Sequence, residues 1–206
     1  MLSTFVVPFP TRIEPENLGV RALAVAEAKG WAAWSLRDVA AELGVTPNAL
    51  YRYVGDRAGL VVLMGEAATR ELQAALKGGR SRSETSPDLK VLRMCQRFIR
   101  FALERPHAFD AFNHAKPSPD HSAHQAWTAL WLELRGFVQA AVPDAADATS
   151  FALWAFLQGR VELARGMAAR AGAEAGLEPA VQALLIGFRA IAPVPSPLPP
   201  GIRIDD

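Results

Sequence analysis

The sequence predicts an all-α protein, a three-helix helix-turn-helix domain at the N-terminal end followed by a C-terminal helical bundle. Three observations support this. Apolar residues recur at helical spacing along most of the chain, and nowhere does period-two alternation outcompete it. Proline, small polar caps and glycine divide that pattern into helix-sized segments. The stretch SLRDVAAELGVTPNALYRYVGDRAGL, residues 35–60, has the form of a helix-turn-helix.

Composition sets limits. The 206 residues suit one large or two small domains, and half of them are hydrophobic, enough for a sizeable core. The net charge is only +1, so there is no general polyanion-binding surface. A specific DNA reader remains compatible with that value, because a dimer needs only a few well-placed cations per half-site. Cys95 is the single cysteine, which excludes an intrachain disulfide and a cysteine-based zinc site. Its apolar surroundings, LRMCQRFIRFAL, mark it as a core thiol, and the chain fits a reducing cytoplasm. The start, MLSTFVVPFPTR, lacks a basic region and is interrupted by Pro8 and Pro10, unlike a signal peptide. No uncharged apolar run reaches the roughly eighteen residues that span a bilayer, so no membrane partner is expected.

Residues 1–13 read as an irregular arm. Pro15 and Glu16 open a first helix, Leu18, Ala22, Val25 and Ala26 give its inner face, and Gly30 ends it. Trp31 and Trp34 follow as a packed lid over a small three-helix core. Ser35 and Asp38 form a capping box, each satisfying a backbone N–H of the other. Leu36, Val39, Ala40 and Leu43 make one apolar face, and Gly44 takes the C′ position, where a left-handed backbone favours glycine. Val45 plugs the turn. Thr46 caps the next helix, Pro47 starts it, and Ala49, Leu50 and Val54 give it an inner side. Gly55-Asp56 breaks the chain, and Asp56 caps a third helix starting at Arg57.

That helix is expected to run to about Leu76, with Leu60, Met64, Ala67, Ala68 and Leu72 inward, and to stop at Lys77-Gly78-Gly79. RSRSETS at 80–86 is a polar linker. Pro87 opens a helix to about Glu104 with Leu89, Leu92, Gln96, Ile99 and Leu103 along one side; Arg93, Arg97 and Arg100 form a solvated stripe. After Arg105-Pro106 a short helix carries Phe109 and Phe112 and ends before Pro117. Residues 120–141 make the next helix, Pro143-Asp144 the turn, then a long helix runs to about Ala171 and a last one from Leu177 to about Ala192. The tail APVPSPLPPGIRIDD is proline-rich and extended or disordered. The boundaries are 14–60 for the helix-turn-helix domain, its connecting helix continuing to about 77, 86–192 for the C-terminal domain, and 193–206 for the tail.

Function follows from the motif. In a helix-turn-helix the start of the second helix faces base edges. Thr46, Pro47, Asn48 and Ala49 stand there; Asn48 suits a bidentate bond to adenine, and the Pro47 and Ala49 carbons suit thymine methyls. Arg37, Tyr51, Tyr53 and Arg57 are placed for phosphates, which position a protein without reading sequence, and Arg52 suits either role.

These residues carry a resemblance. Leu36–Leu60, with Gly44-Val45-Thr46, Tyr51-Arg52-Tyr53 and Leu60, resembles the DNA-binding domain of the TetR family of bacterial repressors. Val54 replaces the family's usual Phe, and Arg57 its usual Lys. Residues 151–166, FALWAFLQGRVELARG, are similar to a segment in one branch of TetR C-terminal domains that carries Trp and a His-Gly pair; Gln158 stands in place of that His. The resemblance implies a homodimeric regulator of a palindromic operator in double-stranded DNA, released by a small apolar effector held in the C-terminal domain.

The bundle's aromatic residues permit such a pocket. Phe98, Phe112, Trp127, Trp131 and Trp154 are candidates to line it, with Gln158 and Glu162 for a ligand's polar end. Most large rings in a bundle are simply core, and that alternative stays open for each. Ala152, Ala155, Gly159, Gly166 and Gly187 on the last two long helices permit the close approach of a second copy.

Other chemistry is not supported. His107, His114, His121 and His124 lie among prolines and helix ends and lack the three or four convergent ligands a metal needs. There is no phosphate-cradling glycine loop, G-x-S-x-G or H-E-x-x-H, so neither enzyme nor cofactor is expected. Two alternatives remain: a small-molecule-binding protein on the same fold without operator binding, and an enzyme of unrecognised type.

Overall fold

The computed structural model describes residues 15–78, 86–166, 172 and 174–191. Expectations for the N-terminal arm, most of the 80–86 linker and the proline-rich tail lie outside these residues. Among the described residues all regular structure is helical. The order is α1 (Pro15–Lys29), α2 (Leu36–Leu43), α3 (Pro47–Val54), α4 (Arg57–Lys77), α5 (Pro87–Glu104), α6 (Pro106–His114), α7 (Ser122–Ala141), α8 (Ala146–Gly166) and α9 (Leu177–Ala190). A single 3-10 turn, Pro143–Ala145, leads into α8.

Local chemistry explains the short helices. The Ser35 hydroxyl accepts from Asp38 N–H, and the Asp38 carboxylate accepts from Ser35 N–H at 2.9 Å, so the capping box is closed. Gly44 sits at φ 67°, the left-handed conformation that only glycine adopts at little strain. Thr46 Oγ1 accepts from Ala49 N–H at 3.2 Å, and Asp56 Oδ1 from Gly59 N–H at 2.8 Å. An isolated eight-residue helix is marginal in water. These caps and a shared core hold α2 and α3.

The core is continuous. It runs from Leu18, Leu23, Val39 and Leu50 through Leu60, Met64 and Leu72 into Phe98, Phe109, Leu130, Leu157 and Leu185. The long α4 packs on α1, α6 and α7 and joins the helix-turn-helix to the bundle. An added Cβ at Gly19 in α1 would clash with the Leu63 carbonyl of α4. One at Gly65 in α4 would clash with Ala115 Cβ and lie 3.1 Å from the Ala111 carbonyl of α6. α4 is therefore in backbone contact on both sides.

The inner face of α5 differs from expectation. Leu89 is 43% exposed, and Gln96 and Leu103 are only half-buried. Val91, Met94, Cys95, Phe98 and Phe101 are buried with Leu92 and Ile99. The cause is that α5 packs against α4, α6, α7, α8 and α9, so it is covered over most of its circumference, not along one stripe. Leu89 is exposed in the first turn, which α9 meets at Asp88 through Arg189 and not at Leu89. Burial pushes the Cys95 thiol up to about 12, as suits an inert core residue.

Polar groups brace the junction of α1, α4 and α6. Glu27 Oε1 accepts from Ala108 N–H at 3.1 Å and pairs with Arg105 at 3.3 Å; Arg105 also pairs with Glu71 at 3.1 Å. Burial raises the Glu71 carboxyl above its ordinary value; the Glu27 charge adds to this, and Arg105 opposes both.

Gly65→Ala tests the close contact. Ala115 Cβ cannot swing away, so backbone must shift, and a loss of about 1–3 kcal/mol is expected in urea unfolding. An unchanged midpoint would show that α6 yields freely.

Candidate nucleic-acid interface

α2, α3 and the start of α4 present one set of exposed groups. Arg37 in the first turn of α2, Thr46, Pro47 and Asn48 at the start of α3, and Arg52 and Arg57 are exposed; Tyr51 and Tyr53 are 45% and 51% exposed. Ala49 is half-buried. Leu50, fully buried, pins the opposite face of α3 to the core. Val45 and Val54 pack against the same core from either end of α3. The sequence-predicted residues are thus brought to the surface by a helix whose other side is fixed. Thr46 caps α3 and is exposed, so the capping and contact roles do not conflict.

The charges differ from those nearby. Arg21 pairs with Glu42 at 3.1 Å and Lys29 with Asp38 at 2.6 Å, which neutralises the α1–α2 side. Among the described residues no carboxylate pairs with Arg37, Arg52 or Arg57. These cations remain available to an anion, and with the tyrosine hydroxyls they suit a phosphate backbone. Asn48, exposed between them, offers the donor–acceptor pair that an adenine edge matches.

Sequence reasoning missed one feature of this surface. The Arg57 guanidinium carbon lies 4.2 Å from the centroid of Trp34, whose ring is 3% exposed. The sequence predicts a lid at Trp34, and nothing local marks a stacking partner twenty-three positions away.

The aromatic interior is a second candidate region. Trp154 stands at its centre: its ring is 5.5 Å from Phe98, 5.7 Å from Phe112, 5.3 Å from Trp127 and 6.4 Å from Trp131. Phe112 and Trp127 stack at 5.0 Å. Phe98, Phe112 and Trp131 are fully buried, whereas Trp127 and Trp154 are half-exposed. The rings fill the space between α5, α6, α7 and α8. Gln158 Nε2 donates to Asn113 Oδ1 at 3.1 Å, close to this cluster in sequence and on the same helix as Trp154. Glu162 is not brought there: its side chain is 66% exposed and faces Arg165 at 3.7 Å. One further turn along α8 carries it to the surface. Trp131 Nε1 and Ser150 Oγ, on α7 and α8, are buried with no hydrogen-bond partner among the described residues, as is Trp34 Nε1 in the α1–α2 loop.

The residues considered for dimerisation lie on α8 and α9. Ala155, Gly159 and Gly166 are exposed, and Ala152 and Gly187 half-buried. An added Cβ at Gly159, Gly166 or Gly187 meets nothing within 4 Å among the described residues, so these glycines serve no close contact there. Phe151, Leu163 and Ile186 are exposed beside them at 38%, 68% and 62%.

Among the described residues no cluster of three His, Cys, Asp or Glu side chains could hold a metal, and no helix is long and apolar enough to cross a membrane.

Residues 20–64 match the family model for bacterial regulatory proteins of the tetR family. No curated protein matches the chain. Solved structures match over nearly their full length. A protein of unknown function from Rhodococcus sp. is similar at TM-score 0.64 and 22% identity, over 89% of this chain and 97% of that one. A TetR family transcriptional regulator, PfmR, from Thermus thermophilus gives 0.57 and 18%, over 82% and 97%. A TetR variant from Acinetobacter baumannii, solved in complex with minocycline, gives 0.58 and 16%, over 86% and 97%. At these identities the likeness concerns the fold.

The capping box is expected to make stability depend on acid. The Lys29 ammonium and the Ser35 groups hold the Asp38 carboxyl below its ordinary 3.8. A carboxyl so lowered binds its proton less tightly when folded, so its contribution is complete above the unfolded value and fades as pH falls through the folded one. The difference in Tm between the native protein and Asp38→Ala should therefore be largest near pH 7 and shrink below about pH 4. A difference independent of pH would show that the carboxylate charge is not involved.

Proposed function

We propose that this chain, whose residues 20–64 belong to the TetR family of bacterial regulatory proteins, is a dimeric repressor that leaves its operator when a small effector binds. The fold is that of DNA-binding transcriptional regulators. The observation that carries the finer reading is the exposed start of α3, with Asn48 at its tip and, around it, Arg37, Arg52 and Arg57, with which no carboxylate pairs among the described residues. The groups that read bases and those that hold phosphates are present together, on a helix fixed by Leu50.

A single helix-turn-helix buries little surface on DNA, and tight binding comes from two related by a dyad. The exposed apolar side chains of α8 and α9, next to glycines with open space above them, support a second copy of the chain as the partner there. The effector reading is supported by the interior of α5 to α8. It is apolar and aromatic, its two half-exposed tryptophans offer a way in, and Trp131 Nε1 and Ser150 Oγ are donors that nothing among the described residues satisfies. Phe98, Phe112, Trp127, Trp131, Trp154 and Gln158 would line it. Entry needs the rings to part, and that reshaping is how an effector could favour one conformation. It must bind the state whose recognition helices no longer match successive grooves better than the DNA-competent one. The TetR variant of similar fold from Acinetobacter baumannii holds minocycline; the effector here is proposed only as small and apolar.

The test is a mobility shift on the DNA flanking the chain's own gene. Asn48→Ala should lose about 1–3 kcal/mol on the bound site and much less on random duplex. Equal losses on both would show that Asn48 does not read sequence, and no shift with the native protein would favour a ligand-binding protein without an operator.

Gly159→Leu is expected to abolish the dimer. Its side chain would enter open space in the protomer and so leave the fold intact, but it would hold a partner's helix away. Size exclusion should give a monomer that no longer binds a palindrome. A stable dimer would place the interface on another face.

A further inference from the structure

Arg57 and the two tryptophans of the α1–α2 loop form an arrangement that the helix-turn-helix does not require. Trp34 is core, at 3% exposure. The Arg57 guanidinium nevertheless lies over its ring, 4.2 Å from the centroid. The acid next in the chain, Asp56, is engaged in capping Gly59 N–H at 2.8 Å. With no carboxylate pairing it among the described residues, the indole is the group that holds this guanidinium. A ring attracts a cation through its quadrupole and uses none of its N–H donors. All five donors of Arg57 stay free for a phosphate. An ion pair would fix the side chain equally well but would occupy those donors and cancel the charge.

Trp34 is itself buttressed. Its ring is 5.9 Å from that of Trp31, and Trp31 is 5.4 Å from the ring of His114, in the last turn of α6. His114 is tied to its own helix, Nδ1 lying 2.8 Å from the Asp110 carbonyl, and the Asp110 carboxylate is held by Arg165 of α8 at 2.8 Å. A line of contacts therefore connects α8 and α6 with the guanidinium at the reading surface, by a route separate from the body of α4.

We propose that Trp34 is a positioning residue for Arg57, and that Trp31, set between Trp34 and His114, ties the place of that guanidinium to the place of α6. The proposal rests on the DNA-reading function above. It predicts that a displacement of α6 changes not only the spacing of the recognition helices but also the phosphate contact each protomer can make.

The experiment compares Trp34→Leu, which keeps apolar bulk and loses the ring face, with Trp34→Phe, which keeps a face. On a non-specific duplex, Trp34→Leu is expected to lower the slope of log K against log salt by about one to two units per dimer, as Arg57→Ala does, and Trp34→Phe to retain most of it. The double variant Trp34→Leu with Arg57→Ala should bind no more weakly than Arg57→Ala alone. A folded Trp34→Leu with the native slope, or losses that add, overturns the proposal while leaving the function standing. Native protein that binds no duplex at low salt overturns the function, and the proposal with it. NMR decides the contact without DNA or a core substitution: the Arg57 Hε and Hδ resonances of the native protein are expected upfield of random coil, and ordinary shifts would overturn it. His114→Ala, at an exposed position, should move the Trp31 indole and the Arg57 Hε resonances together; an unmoved Arg57 resonance would break the tie to α6.

Discussion

The backbone contacts of α4 govern this structure. Gly19 brings α1 onto α4 at the Leu63 carbonyl, and Gly65 brings α6 onto it at Ala111 and Ala115. Gly59, in the first turn of α4, does the same at the Val54 carbonyl that ends α3. The neighbours at Gly19 and Gly59 thus meet α4 through a backbone carbonyl, and the one at Gly65 through no more than the Ala115 methyl and the Ala111 carbonyl. Side-chain layers absorb small displacements by changing rotamers, and backbone contacts cannot, because interiors are close-packed. Movement of α6 must pass to α4 and then to α1 and α3. The continuous core that joins reader and bundle follows from the same contacts.

Polar groups reinforce that junction at its edges. Glu66, 8% exposed, accepts from Ser122 Oγ of α7 at 2.7 Å and pairs with Arg70 at 2.6 Å. Glu27, Arg105 and Glu71 link α1, α4 and the start of α6. Exposed ion pairs contribute little, about 0–1 kcal/mol each. Glu27 matters more for direction: it accepts from Ala108 N–H, an otherwise unpaired donor in the first turn of α6, and so fixes where that helix begins relative to α1.

The sequence made visible whatever depends on near neighbours in the chain. Ser35 with Asp38, Gly44, Thr46 with Pro47, and Asp56 each satisfy a helix end within three residues, and the observed caps are those groups. The start of α5 at Pro87 was legible from proline's fixed φ at a first helical position, although no side chain caps that helix; Pro106, expected only as a break in the chain, is itself the first residue of α6. Contacts between distant residues were not. Gly19 and Gly65 look like ordinary weak points of a helix until the partner helix is in place. Leu89 fits the apolar period of α5 yet is exposed in a first turn that α9 meets only at Asp88, through Arg189, and Glu162 shares the period of Trp154 but is turned out to solvent. The exposure of the residues at the start of α3 was legible because the motif orders them; the ring beneath Arg57 was not, because it depends on how the α1–α2 loop lies against the start of α4.

The weak net charge acquires a meaning from these placements. At +1 overall, long-range attraction to DNA is small, and anything gained must come from where cations stand. Arg21, Lys29, Arg105, Arg135 and Arg165 are all paired with carboxylates and contribute little field. Arg37, Arg52 and Arg57 have no such partner among the described residues and lie around α3. A surface of this kind releases few counterions, so its affinity for arbitrary sequence is modest and falls off with salt over a small number of phosphates. Discrimination must then rest on base edges read by a correctly placed α3. The contacts of α4 act on the placement of α3, and the stack of Arg57 on Trp34 acts on the placement of one cation beside it, so geometry, more than charge, sets what this surface presents.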